Sequence, residues 1–226
     1  QNISDISSSN MRANIRKNIS QAIKSRTHDT IVWGVKYIDA SLLADNIYTL
    51  ESDPNFETLV VHNGNLHISN DFTGNSNMIG LISYIDEWYN VQDWYQEIWN
   101  IYVDNSVWEI QAVIYADGWF ISTDNAEVIS WSESQRSSQL QNQLYIKGVL
   151  FTRNTLGGAT LSEGKYILPW WSETYDWQLA LQYDLHYIRR GANNCMEING
   201  SCPYNEYFII EYDPNINSDP PKLFSQ

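Results

Sequence analysis

Positive charge is scarce in this chain: 13 Lys and Arg stand among 226 residues against 27 Asp and Glu, a formal net charge of −14. Such a surface repels phosphate over most of its area, which argues against a nucleic-acid partner. Long apolar runs are missing too. No stretch approaches the ~20 residues of a helical membrane span, and no signal peptide is present, so a secreted protein would have lost a signal or a longer N-terminal region. No G-x-S-x-G serine, H-E-x-x-H helix, Walker loop or G-x-G-x-x-G turn occurs, which removes the familiar nucleophile, zinc and phosphate motifs. Only four histidines are present, His28, His62, His67 and His186. His62 and His67 flank a turn and are expected to face each other across it, as a surface pair rather than a zinc site, which needs further ligands.

Cysteine is nearly absent as well. The two residues lie in Cys195-Met-Glu-Ile-Asn-Gly-Ser-Cys202. Asn199-Gly200 is a hairpin-turn signal that brings the thiols near each other, as suits a local disulfide in an oxidising compartment; free thiols are the alternative. The spacing excludes a C-x-x-C redox pair, and a metal site would need more Cys or His nearby.

What is abundant is Trp and Tyr, ten and fifteen against six Phe. Both bury a ring while keeping one polar end wet, so they gather at surfaces, interfaces and sugar-binding faces. With few bases, many Asn and Ser and an acidic balance, the composition is that of an extracellular, cell-surface protein. Hydrophobic content of 43% is ample for a core. Charge is uneven. Residues 1–28 hold Arg12, Arg16, Lys17, Lys24 and Arg26 against Asp5 alone, a net of +4, and the remainder carries −18. A basic arm on an acidic body can meet a neighbouring copy's acidic face; the plainer alternative is a solvated helix end.

Periodicity divides the chain into a basic helical arm (1–28), a β-rich body (29–160) and a Trp-rich C-terminal region (161–226). The arm holds one helix, Asn10 to Thr27, with an apolar stripe of Ile15, Ile19, Ala22 and Ile23. Strands are expected at Thr30–Ile38, at Leu59–Ile68 with a turn at Asn63-Gly64, at Met78–Ile85, Ile101–Val103, Trp108–Ala116 and Trp119–Ser122, and at Phe208–Tyr212. Ser130 to Asn142 reads as a loop. The clearest strand lies in Gln143 to Gly158: Leu144, Ile146, Gly148, Leu150 and Thr152 share one parity, and Asn154 falls on it too. A buried Asn needs several hydrogen-bond partners, which the rungs of a stacked-strand fold supply. Gly64-Asn-Leu-His-Ile, Trp99-Asn-Ile-Tyr-Val and Gln143-Leu-Tyr-Ile-Lys-Gly read as echoes of one unit. Their central residues Leu66, Ile101 and Leu144 are 35 and 43 residues apart, within the range of one or two solenoid turns. The expected fold is therefore mainly β, a β-solenoid or β-helix-like body with an N-terminal helix; a β-sandwich gives the same alternation.

Several motifs follow one another along most of the chain from Asn10: Met11-Arg-Ala-Asn-Ile-Arg-Lys-Asn18, Val61-His-Asn-Gly-Asn-Leu-His-Ile68, Asn100-Ile-Tyr-Val, Ala112-Val-Ile-Tyr-Ala-Asp-Gly118, Gln143–Gly158, and Tyr212-Asp-Pro214 with Asp219-Pro-Pro221. In these the chain resembles the C-terminal region of large surface proteins from ultrasmall, candidate-phylum bacteria. The resemblance implies a β-helix-like fold and an extracellular location, and it brings no catalytic residues. Trp88–Trp99 departs from it.

Carboxylates at loop spacing are candidate calcium ligands, because hard oxygen donors suit that ion. Asp117, Asp124 and Glu127 near one turn are weak candidates, and Asp86, Glu87 and Asp93 lie near another. No spaced acid pair points to a glycosidase or lyase, so a non-enzymatic protein is expected, without a cofactor apart from possible calcium. Trp88, Trp94 and Trp99 are candidates for stacking on a cell-surface glycan, with packing against the sheet as the alternative. Self-assembly into a surface layer or filament is the expected role, with Arg12, Arg16, Lys17, Pro220, Pro221 and Phe224 as candidate interface residues.

Overall fold

The computed structural model describes residues 8–24, 26–50, 55–73, 78–85, 99–129, 138–154, 160–162, 165–167, 185, 188–189 and 207–224. The protein is mainly β, with two mixed sheets and one N-terminal helix. That helix, α1 (Ser8–Ile23), starts two residues before the expected Asn10 and stops four before Thr27.

Among the described residues sheet A has seven strands in the order β1 (Thr30–Val32), β2 (Val35–Asp39), β4 (Thr58–His62), β6 (Ile79–Tyr84), β8 (Glu109–Ala116), β11 (Leu144–Phe151) and β14 (Phe208–Glu211). Sheet B has five, β10 (Glu127–Val128), β9 (Phe120–Asp124), β7 (Ile101–Asp104), β5 (Asn65–Ile68) and β3 (Ile47–Leu50). A separate hairpin joins β12 (Thr160–Ser162) to β13 (Lys165–Ile167).

From β2 to β9 the chain alternates strictly, even-numbered strands entering sheet A and odd-numbered strands sheet B. Each of β4 to β9 pairs in parallel with the strand two places earlier. The register is continuous. Tyr37, Val60, Ile82, Tyr115 and Phe151 form one row across sheet A, and Tyr48, Leu66, Ile101 and Phe120 another across sheet B. Antiparallel pairing within these sheets joins β1 to β2 and β10 to β9.

Two apolar clusters follow from strand parity. The first draws on both sheets: Leu59, Val61, Leu81 and Ile114 of sheet A join Leu66, Ile101, Val103 and Phe120 of sheet B. The second lies on the other face of sheet A, where Ile15 and Ile19 of α1 and Phe224 of the tail pack on Val35, Tyr37, Val60, Ile82, Tyr84, Val113 and Tyr115. Sheet A is thus covered on both faces, which is why β4 and β6 are buried along their whole length rather than at alternate residues.

The expected echoes divide. Leu66 and Ile101 are direct partners in sheet B, whereas Leu144 belongs to sheet A and lies beside β8 and β14. The turn at Asn63-Gly64 does not fold a strand back on itself. It is a corner, with Asn63 at φ 59°, that carries the chain from β4 in sheet A to β5 in sheet B.

Asparagines line this set of corners. Asn65 Oδ1 accepts from Asn100 N–H at 2.9 Å, and Asn100 Oδ1 accepts from Trp119 N–H at 2.8 Å. Asn154 binds Phe120 at both ends, its Oδ1 accepting from the N–H at 2.7 Å and its Nδ2 donating to the carbonyl at 2.9 Å. The side chains extend the backbone ladder around the bend, where regular strand pairing stops. Phe120 is fully buried, so Asn154→Ala would strand its backbone groups. A loss of about 1–3 kcal/mol is expected, read from urea unfolding; a change under about 0.5 kcal/mol, typical of a neutral surface substitution, would contradict this role.

Candidate functional site

Three features of the fold have the chemistry of a site. The first lies under α1. Arg16 Nη1 donates to Asp117 Oδ1 at 2.7 Å, the Tyr115 hydroxyl donates to the same oxygen at 2.7 Å, and Ile85 N–H donates to Asp117 Oδ2 at 3.1 Å. The Arg16 guanidinium also lies over the Tyr84 ring, 5.5 Å from its centroid. Burial works against the Arg16 charge, yet Asp117, with Tyr115 and Tyr84, outweighs it and holds the guanidinium above its ordinary value. His62 stacks on Tyr84 at 5.7 Å, and its Nδ1 lies 3.1 Å from the Tyr37 hydroxyl. This cluster ties the helix to the ends of β6 and β8.

The second feature gathers at the end of β7. Asp104 Oδ1 accepts from Ser106 N–H at 2.9 Å and from the Ser106 hydroxyl at 2.6 Å, and Oδ2 accepts from Asn125 N–H at 2.8 Å. His67 Nε2 approaches Asp104 Oδ2 at 3.8 Å, and its Nδ1 lies 3.4 Å from the Thr49 hydroxyl. A hydroxyl, an imidazole and a carboxylate stand in sequence here. The carboxylate is nevertheless engaged by the turn's donors, and 3.8 Å is too long for a hydrogen bond to orient the ring. The group fits a turn cap better than a nucleophile relay. Next to it lies Arg189, fully buried. Its guanidinium donates to the carbonyls of Asp104 at 2.9 Å and Val107 at 3.1 Å, and to the Ser122 hydroxyl. Burial lowers the Arg189 pKa from its ordinary value while Asp104 opposes the shift.

Burial alone would raise the Asp104 carboxyl, but the nearby His67 imidazole and the hydrogen bonds from Ser106 and Asn125 outweigh it and hold the group well below the usual carboxylate range. A folded pKa below the unfolded value of about 3.9 means stability that is present above that pH and lost as pH falls through the folded pKa. Asp104→Asn is therefore expected to flatten the fall in melting temperature on acidification below about pH 4. Parallel acid limbs for variant and wild type would contradict the assignment.

The third feature is a pair of exposed apolar patches at the two edges of sheet A. At the β1 edge Ile31 and Val32 are exposed and Trp33 is 86% exposed; at the β14 edge Tyr207, Ile210 and Tyr212 are exposed. Trp33 (φ 56°) and Gly34 (φ 78°) form the two-residue turn between Val32 and Val35. Positive φ at both positions is the type I′ requirement that Asn-Gly usually meets. A Trp there sits in a conformation that costs a bulky residue about 1–3 kcal/mol, and it is held out in solvent.

The residues singled out from sequence scatter among these features. Arg16 and Phe224 make their contacts within the chain, Arg16 on Asp117 and Phe224 in the cluster on sheet A. Pro221 is buried, Pro220 half-buried and Lys17 exposed. The side chain of Arg12 lies outside the described residues, as do Cys195, Cys202, Trp88 and Trp94; Trp99 is half-buried at a corner with φ 68°. Asp117 is buried under Arg16, whereas Asp124 and Glu127 pair across the β9–β10 hairpin. Among the described residues no three or more His, Cys, Asp or Glu side chains gather as a metal site. His62 and His67 do not face each other, because the corner between them sends β4 and β5 into different sheets. Asp104 and Arg189 were missed in the sequence: their partners lie up to 85 residues away, and no local pattern announces them.

Among the described residues no helix is long and apolar enough to cross a membrane. No family model, curated protein or solved structure matches this chain.

Proposed function

We propose that this chain is a non-enzymatic extracellular structural protein, a β-solenoid-like block that assembles with its own copies into a surface layer or filament. The observation that carries the reading is the pair of exposed apolar edges at opposite ends of one sheet. Such edges are templates for a further chain, and two different surfaces that fit each other generate open filaments rather than closed dimers.

The solenoid reading is supported by the strict alternation of strands between sheets and by parallel pairing at a spacing of two. Antiparallel hairpins, which build a β-sandwich, appear among the described residues of these sheets only at β1–β2 and β10–β9. Rung length supports it too. Val35 meets Thr58, 23 residues on, and Thr58 meets Gly80, 22 residues on, within the usual ~20–45-residue repeat. Longer intervals carry insertions: Leu66 meets Ile101 across 35 residues that include the Trp-rich stretch. The acidic, Asn- and Ser-rich composition and the resemblance to bacterial surface proteins support the extracellular location.

Sedimentation velocity over a range of protein concentration, with calcium and with a chelator, tests the reading. Mass that grows with concentration is expected. A monodisperse monomer throughout would overturn it. A glycan-binding role is the second reading, favoured by the exposed ring of Trp33; array binding lost on Trp33→Ala would promote it.

A further inference from the structure

We infer that copies of this chain join head to tail, the β1 edge of one docking on the β14 edge of the next, with Trp33 as the anchor. The inference rests on the self-assembly reading and adds the surfaces and their polarity.

Both edges belong to the same seven-stranded sheet and lie at its opposite ends. Each presents apolar and aromatic side chains to solvent, Ile31, Val32 and Trp33 at one end and Tyr207, Ile210 and Tyr212 at the other. Neither set has an evident role within the fold, since none belongs to either core cluster. In a stack that preserves strand direction, β14, which runs parallel to β11, would lie antiparallel to β1, which opposes β2. That is the pairing a short edge accepts most readily. The edges are only three and four residues long, so backbone pairing sets register and the side chains supply most of the attraction.

Charge favours the same arrangement. Lys36 pairs with Asp29 at 3.0 Å and the buried Asp213 with Lys147 at 3.3 Å, which leaves Lys24 and Arg26 near the β1 edge and Glu211 and Asp219 near the β14 edge as the charges open to a partner. Opposite signs favour unlike ends meeting, and like ends repel. The β1 hairpin is also held firmly for the purpose: Arg26 Nη1 donates to the carbonyls of Val32 at 2.9 Å and Val35 at 3.0 Å, bracketing the Trp33 turn. An aromatic side chain on a pre-set turn contributes contact area with little ordering cost, the usual property of an interface anchor.

A mixing experiment tests the joint. Trp33→Glu removes one end and Ile210→Glu the other; both side chains are exposed, and circular dichroism and melting temperature verify that each variant folds. Wild type is expected to form species that grow with concentration. Each variant alone is expected to associate at least roughly 30-fold more weakly, as loss of a central Trp anchor implies. An equimolar mixture is expected to give a 1:1 heterodimer and nothing larger, because each partner brings the end the other lacks. Wild type that assembles while both variants assemble equally well, or a mixture that stays monomeric, would overturn the joint and leave self-assembly standing. Wild type that remains monomeric overturns both, and glycan binding lost in Trp33→Glu would then reassign the exposed ring.

Discussion

Replacing Gly148 with alanine is expected to destabilise the protein by about 3 kcal/mol or more, at the upper end of overpacking costs. A Cβ at this position would sit 1.9 Å from the carbonyl oxygen of Ala112 and 2.8 Å from its carbonyl carbon. Gly148 and Ala112 are register partners in β11 and β8, and Gly148 has φ +151°, a backbone conformation that side chains rarely adopt. The obstacle is backbone in the middle of sheet A, so relief requires moving a strand. Gly80 offers the contrast, because its added Cβ would meet chiefly the Phe224 ring and the Thr58 hydroxyl, at 2.6 and 2.9 Å. Ring and hydroxyl can shift, so Gly80→Ala should cost less. Urea unfolding of both variants measures the difference; a Gly148→Ala protein as stable as Gly80→Ala would contradict the close approach of β8 and β11.

The second large effect lies under the helix. Asp117→Ala is expected to cost about 3–5 kcal/mol, because it takes the countercharge from Arg16 and removes the acceptor that Tyr115 and Ile85 share with it. The Asp117 side chain is fully buried and that of Arg16 is 24% exposed, so screening by water is limited at the carboxylate. Arg16→Ala removes the countercharge from the buried carboxylate, which keeps the Tyr115 and Ile85 donors, and should cost less than Asp117→Ala. Because each single change leaves a charge without its countercharge, the double variant Arg16→Met/Asp117→Leu is expected to be more stable than Asp117→Ala. Hydrogen exchange should show α1 losing protection first in the single variants. Single variants within 1 kcal/mol of wild type, on the scale of an exposed ion pair, would mean that the pair holds nothing in place.

How far the fold was legible follows from where its determinants lie. Strands with their own alternation were readable: β11 occupies Leu144–Phe151, within the stretch that looked most strand-like, and Asn154 finds its partners on a neighbouring rung. The helix stripe was readable because Ile15 and Ile19 repeat at helical spacing. β3 was missed, since Ile47–Leu50 offers only four residues, too few for alternation to stand out. Asn63-Gly64 was read as a turn in a strand pair because the local chemistry of a hairpin and of a corner is the same; only the parallel register two strands on distinguishes them.

The candidate site was less legible. Asp117 looked like a calcium ligand from its neighbours in sequence, but its partner Arg16 is 101 residues away and arrives by the docking of α1. Thr30–Ile38 reads as one strand, but Trp33-Gly34 folds it into the β1–β2 hairpin, with a Trp standing where Asn usually marks such a turn. The disulfide expected at Cys195 and Cys202 and the stacking role expected of Trp88 and Trp94 concern residues outside those described.

Imaging the purified chain by cryo-electron microscopy tests the central claim most directly. Seven strands of sheet A at about 4.8 Å each give an axial advance of roughly 34 Å per copy. The result expected is ordered rows or filaments with that repeat, strands perpendicular to the axis and the Trp33 turn at the junction. Isolated particles at every concentration, or an ordered lattice whose junctions avoid both edges of sheet A, would contradict the account.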